Sequence, residues 1–157
     1  MSKNYLNIYN NLVKLTRNKS LYEEFNQNDT FSDRLILLLL HFAFFLKVYK
    51  SSNSKKDMQK IYDFFFRQLE LNVREIGYGD VTINKKMKDY INVFHSILKD
   101  LENLEDPVKY SKIVFYKKYL NNANNPEFLT NYFNKYEIFL LNNTLNYFTN
   151  DIIDPNI

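Results

Sequence analysis

The chain of 157 residues contains no cysteine, no tryptophan, only two glycines and only three prolines. Without cysteine there is no disulfide, no thiolate metal site and no cysteine nucleophile, and a reducing compartment fits this composition. No apolar run approaches the roughly 20 residues that a membrane-spanning helix requires. The net charge of +3 is too small to indicate a general nucleic-acid-binding protein, and we expect no DNA partner. The first residues lack the features of a signal or transit peptide, so we expect a cytoplasmic location.

Aromatic residues are abundant, with fourteen Phe and thirteen Tyr. This composition predicts a bulky core in which rings take the place of smaller apolar side chains. Apolar residues recur at helical spacing, and no stretch alternates apolar and polar residues at period two. We therefore predict an all-α fold, a single-domain bundle of about seven helices over residues 1–157.

The most apolar run in the chain covers residues 35–46 and is interrupted only by His41. The run is too short to cross a bilayer, and Arg34 and Lys47 flank it closely. We predict a buried central helix here. In that setting His41 is expected to be a core imidazole bonded to a neighbouring helix, with a functional histidine as the alternative.

Four short motifs predict helix starts, two as capping boxes and two as a cap followed by proline. They are Ser20-x-x-Glu23, Thr30-x-x-Asp33, Asp106-Pro107 and Asn125-Pro126. The helix after the last motif is expected to continue through Tyr147 and Phe148. In the helix predicted over 55–76, an apolar stripe from Met58 to Ile76 is expected to face the core.

Both glycines lie close together, between this helix and a basic helix predicted to start near Asn84, its N-cap. Because glycine adopts positive φ without strain, we predict a helix C-cap at Gly77 and a turn at Gly79. Asp80 is expected to bond the turn backbone. A Gly-x-Gly pair also occurs in nucleotide-binding loops, but those fingerprints need a preceding strand and a third glycine, which this sequence does not offer.

Three lysines, Lys85, Lys86 and Lys88, fall at the predicted start of the basic helix, where the helix dipole disfavours positive charge. Their placement favours an external anionic contact, such as ribosomal RNA, lipid headgroups or an acidic peptide, and a solvated face is the alternative. The two histidines, His41 and His95, lie in different predicted helices without metal-binding spacing. We see no base–nucleophile pair either, and expect no enzyme activity, no metal and no cofactor.

Two segments resemble one family. Residues 72–80, with Lys-Lys-Met-Lys at 85–88 and then Phe94, resemble a Leu-Arg-Glu-x-Gly-x-Gly-Asp turn with its trailing basic helix. Residues 29–34, with His41 seven positions later, resemble a Pro-Asp-Thr-x-x-Gly-Arg segment that opens an apolar helix. Both segments are similar to motifs of the ubiquinol–cytochrome c chaperones, which help assemble respiratory complex III, and the resemblance spans roughly residues 20–100.

The sequence departs from the family pattern at three places. Asn28 and Asp33 stand where the family has proline and glycine. After Phe94 the chain continues His-Ser-Ile, where the family usually has Tyr-Gly-Arg. A contact made by that arginine is therefore not transferred to this chain.

The resemblance implies a non-enzymatic assembly factor that holds newly made cytochrome b. Mitochondrial members work near the ribosome exit with a small partner protein. For this chain the resemblance implies a bacterial member, peripheral to the cytoplasmic side of the inner membrane and in contact with anionic lipid. A general membrane-surface or ribosome-binding module without a dedicated client is the alternative. The implied partner-binding residues are Arg74, Glu75, Gly77, Gly79, Asp80, Lys85, Lys86, Lys88, Asp29 and Arg34.

Overall fold

The computed structural model describes residues 2–23, 31–104, 109–121 and 123–150. Within these ranges the chain forms seven α-helices and one short 3₁₀ turn, with no β-strand. The predicted all-α bundle is confirmed. The helices are α1 (Ser2–Thr16), α2 (Phe31–Tyr49), α3 (Lys55–Arg74), α4 (Asp80–Glu102), α5 (Lys109–Tyr119), α6 (Pro126–Asn142) and α7 (Leu145–Asn150).

Helix α2 lies at the centre of the bundle and packs directly against α1, α4 and α6. Along the run 35–46 every side chain is buried except Ile36 and Leu46, which are half-buried. The predicted central helix is confirmed. Among the described residues, no helix combines the length and apolar character needed to cross a bilayer.

The core is built from aromatic rings, as the composition predicts. On one side of α2, the ring of Phe42 stacks on Phe65 of α3 with centroids 3.9 Å apart and lies 5.3 Å from Phe94 of α4. On the other side, Phe44 stacks on Phe133 of α6 at 5.2 Å. Ring contacts of this kind stabilise a core beyond the burial of apolar area alone. Helix α2 is therefore held to α3, α4 and α6 by specific contacts as well as by buried area.

His41 is fully buried in the middle of α2. Its Nδ1 lies 2.6 Å from the carbonyl oxygen of Leu37, which only accepts hydrogen bonds, so Nδ1 carries the proton. Its Nε2 lies 2.7 Å from the hydroxyl of Tyr132 on α6 and accepts from it. Burial lowers the pKa of His41 from 6.5 to about 4, and the bond to Leu37 offsets part of this effect. The predicted core imidazole bonded to a neighbouring helix is confirmed.

Several predicted helix boundaries differ from the structure. Residues Lys19–Leu21 form a 3₁₀ turn capped by Asn18, so the helix predicted after Ser20 is wrong. The Asn125 cap is confirmed, since its Oδ1 accepts from the backbone N–H of Glu127 at 3.2 Å. Tyr147 and Phe148 lie in α7, after a break at 143, and do not extend α6. The predicted caps Thr30 and Asp106 lie outside the described residues.

The connection between α3 and α4 is a short turn that contains both glycines. Helix α3 ends at Arg74, two residues before the predicted end, and the N–H of Gly77 bonds back to the Arg74 carbonyl at 3.0 Å. Gly77 has a φ of +103°, in the region that residues other than glycine rarely adopt. The predicted positive φ at Gly77 is confirmed, but the predicted C-cap is wrong, because Glu75 is the C-cap of α3.

Helix α4 begins at Asp80 and not near Asn84, so the predicted start and the predicted N-cap are wrong. Gly79 is the N-cap, with φ of −72° that any residue adopts, and it offers no side chain to cap the helix. Ile83 is buried in the first turn, which extends the helix toward Gly79. The acidic side chain of Asp80 also suits the positive end of the helix dipole.

The buried imidazole predicts an acid-dependent loss of stability. Because the folded pKa of about 4 lies below the unfolded value of 6.5, only the unfolded chain gains a proton between these two pH values. Stability should therefore fall as pH falls from about 6.5 to about 4, by up to about 3 kcal/mol from this group. In urea unfolding at several pH values, the slope of the unfolding free energy against pH should be smaller in H41Q, by the equivalent of about one proton. H95Q, at an exposed histidine, should keep it, and equal slopes in all three proteins would contradict the prediction.

The backbone at the turn predicts opposite outcomes at the two glycines. Gly77→Val should lower the free energy of unfolding by more than about 1 kcal/mol, because a β-branched residue resists positive φ. Gly79→Ala should lower it by less than about 1 kcal/mol, because φ there is ordinary, an added Cβ meets no atom within 4 Å, and only a good N-cap residue is replaced by a poor one. Urea unfolding of both variants tests this, and a Gly79→Ala loss as large as that of Gly77→Val would contradict it.

Candidate functional site

The side chains of the turn form a surface cluster with a definite pairing. Arg74 Nη1 donates to Asp80 Oδ1 at 2.6 Å across the turn, and its Nε lies 3.5 Å from Glu70 Oε2. The bond to Asp80 is the main cause of the raised pKa of Arg74. Asp80 was expected to bond the turn backbone, and its carboxylate instead accepts from Arg74. Both partners remain on the surface, where the pair adds little to stability and stays accessible to another molecule.

The lysines of α4 occupy a different place in the helix from the one predicted. Because α4 starts at Asp80, Lys85, Lys86 and Lys88 lie beyond its first turn, where the helix dipole no longer disfavours them. The predicted electrostatic cost is therefore wrong. Lys85 and Lys88 are exposed, and the half-buried Lys86 places its Nζ 4.7 Å from the ring centre of Tyr78. This cation–π contact orders the side of the turn that carries the lysines.

An exposed apolar set surrounds the turn, which we call the apolar tip. It consists of Leu71, Ile76, Tyr78 and Val81, with 49, 52, 39 and 85% of each residue exposed. Ile76 was predicted to face the core, and that placement is wrong because α3 ends before the stripe reaches it. Sequence reasoning missed Leu71, Tyr78 and Val81, although their position beside the two glycines was a signal.

The tip accounts for an unusual share of the exposed apolar residues. Of the eight large apolar residues that are exposed in the described part of the chain, these four lie within eleven residues. Exposed apolar side chains that are scattered singly need no explanation, whereas a local concentration marks an interaction surface. The glycines add to this, since a Cβ built at 77 or 79 would meet nothing within 4 Å and the backbone is open to approach from outside.

The second motif segment meets the first at a small cleft of about 150 Å³ between α1, α2 and α3. Arg34, an exposed residue, lies at this cleft together with Arg17, Asn72 and Val73. Asn72 Nδ2 donates to the hydroxyl of Tyr9 on α1 at 2.7 Å, which joins the end of α3 to α1. The structure thus brings Arg34 near the α3 end of the turn. Asp29, the other predicted residue of this segment, lies outside the described residues.

The described residues do not bring together the groups that metal binding requires. No group of three or more His, Cys, Asp or Glu side chains within the described ranges is arranged to hold a metal. His41 is enclosed in the core, and the exposed His95 bonds the hydroxyl of Tyr62 at 2.9 Å. The features that do converge are an open backbone turn, exposed apolar side chains and exposed charges, which is an arrangement suited to binding a macromolecule.

Comparison with known proteins identifies the family. No curated protein and no solved structure matches the chain. A family model described as ubiquinol–cytochrome C chaperone matches residues 23–110, more than half of the chain. The matched region contains α2, α3, the glycine turn and α4, and so includes both motif segments and the apolar tip. This protein therefore belongs to the ubiquinol–cytochrome c chaperone family.

Proposed function

We propose that this protein is a non-enzymatic assembly chaperone that holds newly made cytochrome b while ubiquinol–cytochrome c reductase is assembled. Family membership implies a chaperone role in the assembly of that complex. The observation that carries the choice of surface is the apolar tip, which stands beside the two glycines inside the matched region. A client that is itself a membrane protein presents apolar helices before it is inserted and paired, and such helices need apolar contacts.

The surface that we assign to the client combines three kinds of contact. The apolar tip supplies area, and Gly77 and Gly79 leave the backbone approachable. The exposed pair of Arg74 and Asp80 offers a donor and an acceptor at the rim of the tip. Glu75 is also exposed, directly after the end of α3. Apolar residues at the centre with charges at the rim are the usual anatomy of a protein–protein interface.

Gly79 supports this assignment in a specific way. Its φ is ordinary and its surroundings are open, so the fold itself does not require glycine there. Serine or aspartate at this N-cap would stabilise α4 slightly more. Glycine is itself a favourable N-cap residue, and close approach of a partner to the backbone is a further reason for it at this position.

The basic side of α4 supports a peripheral membrane contact on the cytoplasmic side of the inner membrane. Lys85 and Lys88 are exposed, and each lysine near an anionic lipid surface contributes about 1 kcal/mol. The same lysines favour the second candidate, a general membrane-surface or ribosome-binding module without a dedicated client. Ribosome contact and a small partner protein remain proposals drawn from the family.

A deletion strain tests the proposed function as a whole. Removing the gene should lower complex III activity and the level of cytochrome b, and the wild-type gene should restore both. The reduced-minus-oxidised spectrum of isolated membranes measures the b-type heme, and native gels measure the assembled complex. Normal complex III in the deletion strain would refute the proposal.

Variants of the apolar tip test the client surface. The double change Ile76→Asp and Val81→Asp should abolish co-purification of cytochrome b from gently solubilised membranes, because charge replaces the apolar contacts. Thermal unfolding should be little changed, since both side chains are exposed in the free protein. Ile138→Asp, at an exposed apolar residue of α6, is the matched control and should co-purify cytochrome b normally. Equal loss in tip and control variants would contradict this surface.

The deletion strain separates the two candidates, and Lys85→Glu tests the second one directly. If the protein is a general membrane-surface or ribosome-binding module, this change should abolish its salt-sensitive sedimentation with anionic vesicles or ribosomes, while complex III in the deletion strain stays normal. If the protein is the proposed chaperone, complex III falls in the deletion strain, whatever the effect of Lys85→Glu on sedimentation.

A further inference from the structure

A groove of about 490 Å³ lies between the end of α2, the start of α3 and the end of α4. This volume lies within the range of about 300–1,000 Å³ that is typical of small-molecule sites. Four apolar side chains line it, namely Leu46, Met58, Leu98 and Leu101. None of the lining residues belongs to the glycine turn or to the lysines of α4, so the groove is separate from the proposed client surface.

Three lysines stand on the wall of this groove, and their charges are unequally balanced. Lys47 Nζ is held by Glu137 at 3.0 Å. Lys50 Nζ lies 3.7 Å from Glu102, the one carboxylate among the lining residues, in a long and exposed pair that another anion can displace. Lys55, exposed at the start of α3, has no ion pair within the described part of the chain. The groove therefore combines an apolar lining with two lysines, Lys50 and Lys55, that are not held in strong ion pairs.

The other polar side chains of the wall already form hydrogen bonds within the protein. The hydroxyl of Tyr62 and Nε2 of His95 bond each other at 2.9 Å. Gln59 donates its amide to Asp63 at 2.8 Å. The cationic side chains of the wall that are most available to an anion are thus Lys50, in its long exposed pair, and Lys55.

We propose that this groove binds a free long-chain carboxylate, with the alkyl chain along Leu46, Met58, Leu98 and Leu101 and the carboxylate at Lys50 and Lys55. The match of charges favours an anion over a neutral lipid. The apolar lining favours a long alkyl chain over a small polar acid, because only a chain removes that surface from water. This is a ligand site in addition to the proposed client surface, and it does not depend on the proposed function.

The three methionines of the chain provide a direct test, since Met58 lines the groove and Met87 does not. The full-length protein, labelled with ¹³C at the methionine methyl groups, is titrated with dodecanoate below its micelle concentration. The Met58 methyl resonance should shift and saturate, while that of Met87 stays in place. Isothermal titration calorimetry should give one site. Dodecanol, which has the same chain without the charge, should bind about tenfold more weakly, the size expected for a charge-assisted hydrogen bond.

Charge reversal provides the second arm. K50E combined with K55E should weaken dodecanoate binding at least about tenfold, because two donors become repulsive groups. K60E, at an exposed lysine of α3 outside the groove, is the matched control and should bind as the wild type does. Equal affinities of the two variants, equal affinities for acid and alcohol, an unchanged Met58 resonance, or binding only to anionic vesicles would each overturn the proposal.

Discussion

The burial of α2 is the constraint on which the rest of the structure depends. Its apolar run contacts helices on several sides, so it cannot face water on any of them. The one polar side chain in this run, His41, is tolerated because Leu37 and Tyr132 satisfy both ring nitrogens. A buried donor or acceptor without a partner costs about 1–3 kcal/mol, and these two bonds avoid that cost. The bond to Tyr132 also orients α6 on α2. Tyr136 adds to this by donating to the His41 carbonyl at 2.9 Å.

The ring-rich core ties the matched region into one rigid platform. Phe42, Phe65 and Phe94 join α2, α3 and α4 through stacked contacts, and α3 and α4 lead directly into the glycine turn. Val73 before the turn and Ile83 after it are both buried, which anchors the turn on each side. The apolar tip is thus presented on a short turn with fixed ends. The proposed client surface is therefore pre-organised, and binding there would cost little conformational entropy.

Buried and exposed apolar residues lie within a few positions of each other around the glycine turn. Val73 and Ile83 serve the fold, whereas Ile76 and Val81 leave large areas in water and contribute little to it. Clustered apolar side chains in water lower solubility, so such clusters usually mark a surface that binds another molecule. The family match places this division of labour inside the region that relates the chain to complex III assembly. The groove at the other connection, between α2 and α3, combines both kinds of surface, since Lys50 and Lys55 are exposed and its apolar lining is continuous with the core.

Features that depend on neighbouring residues followed from the sequence alone. Helical spacing predicted the all-α fold, the apolar run predicted α2, and the Asn125-Pro126 pair predicted the start of α6. The need for positive φ at Gly77 and the family resemblance also followed, because both rest on short-range patterns. The start of α4 was decided by tertiary structure, since burial of Ile83 favours helix from Asp80 onward.

Long-range packing decided the partner of His41 and the exposure of Ile76. The pairing of Arg74 with Asp80 depends on the local geometry of the turn, which the sequence pattern did not specify. The apolar periodicity along α3 does not show where the helix ends and its side chains become exposed. The apolar tip lies at that end of α3. A local pattern determines which conformation a segment prefers. Only the docking of helices against one another determines which side chains remain in water to meet another molecule.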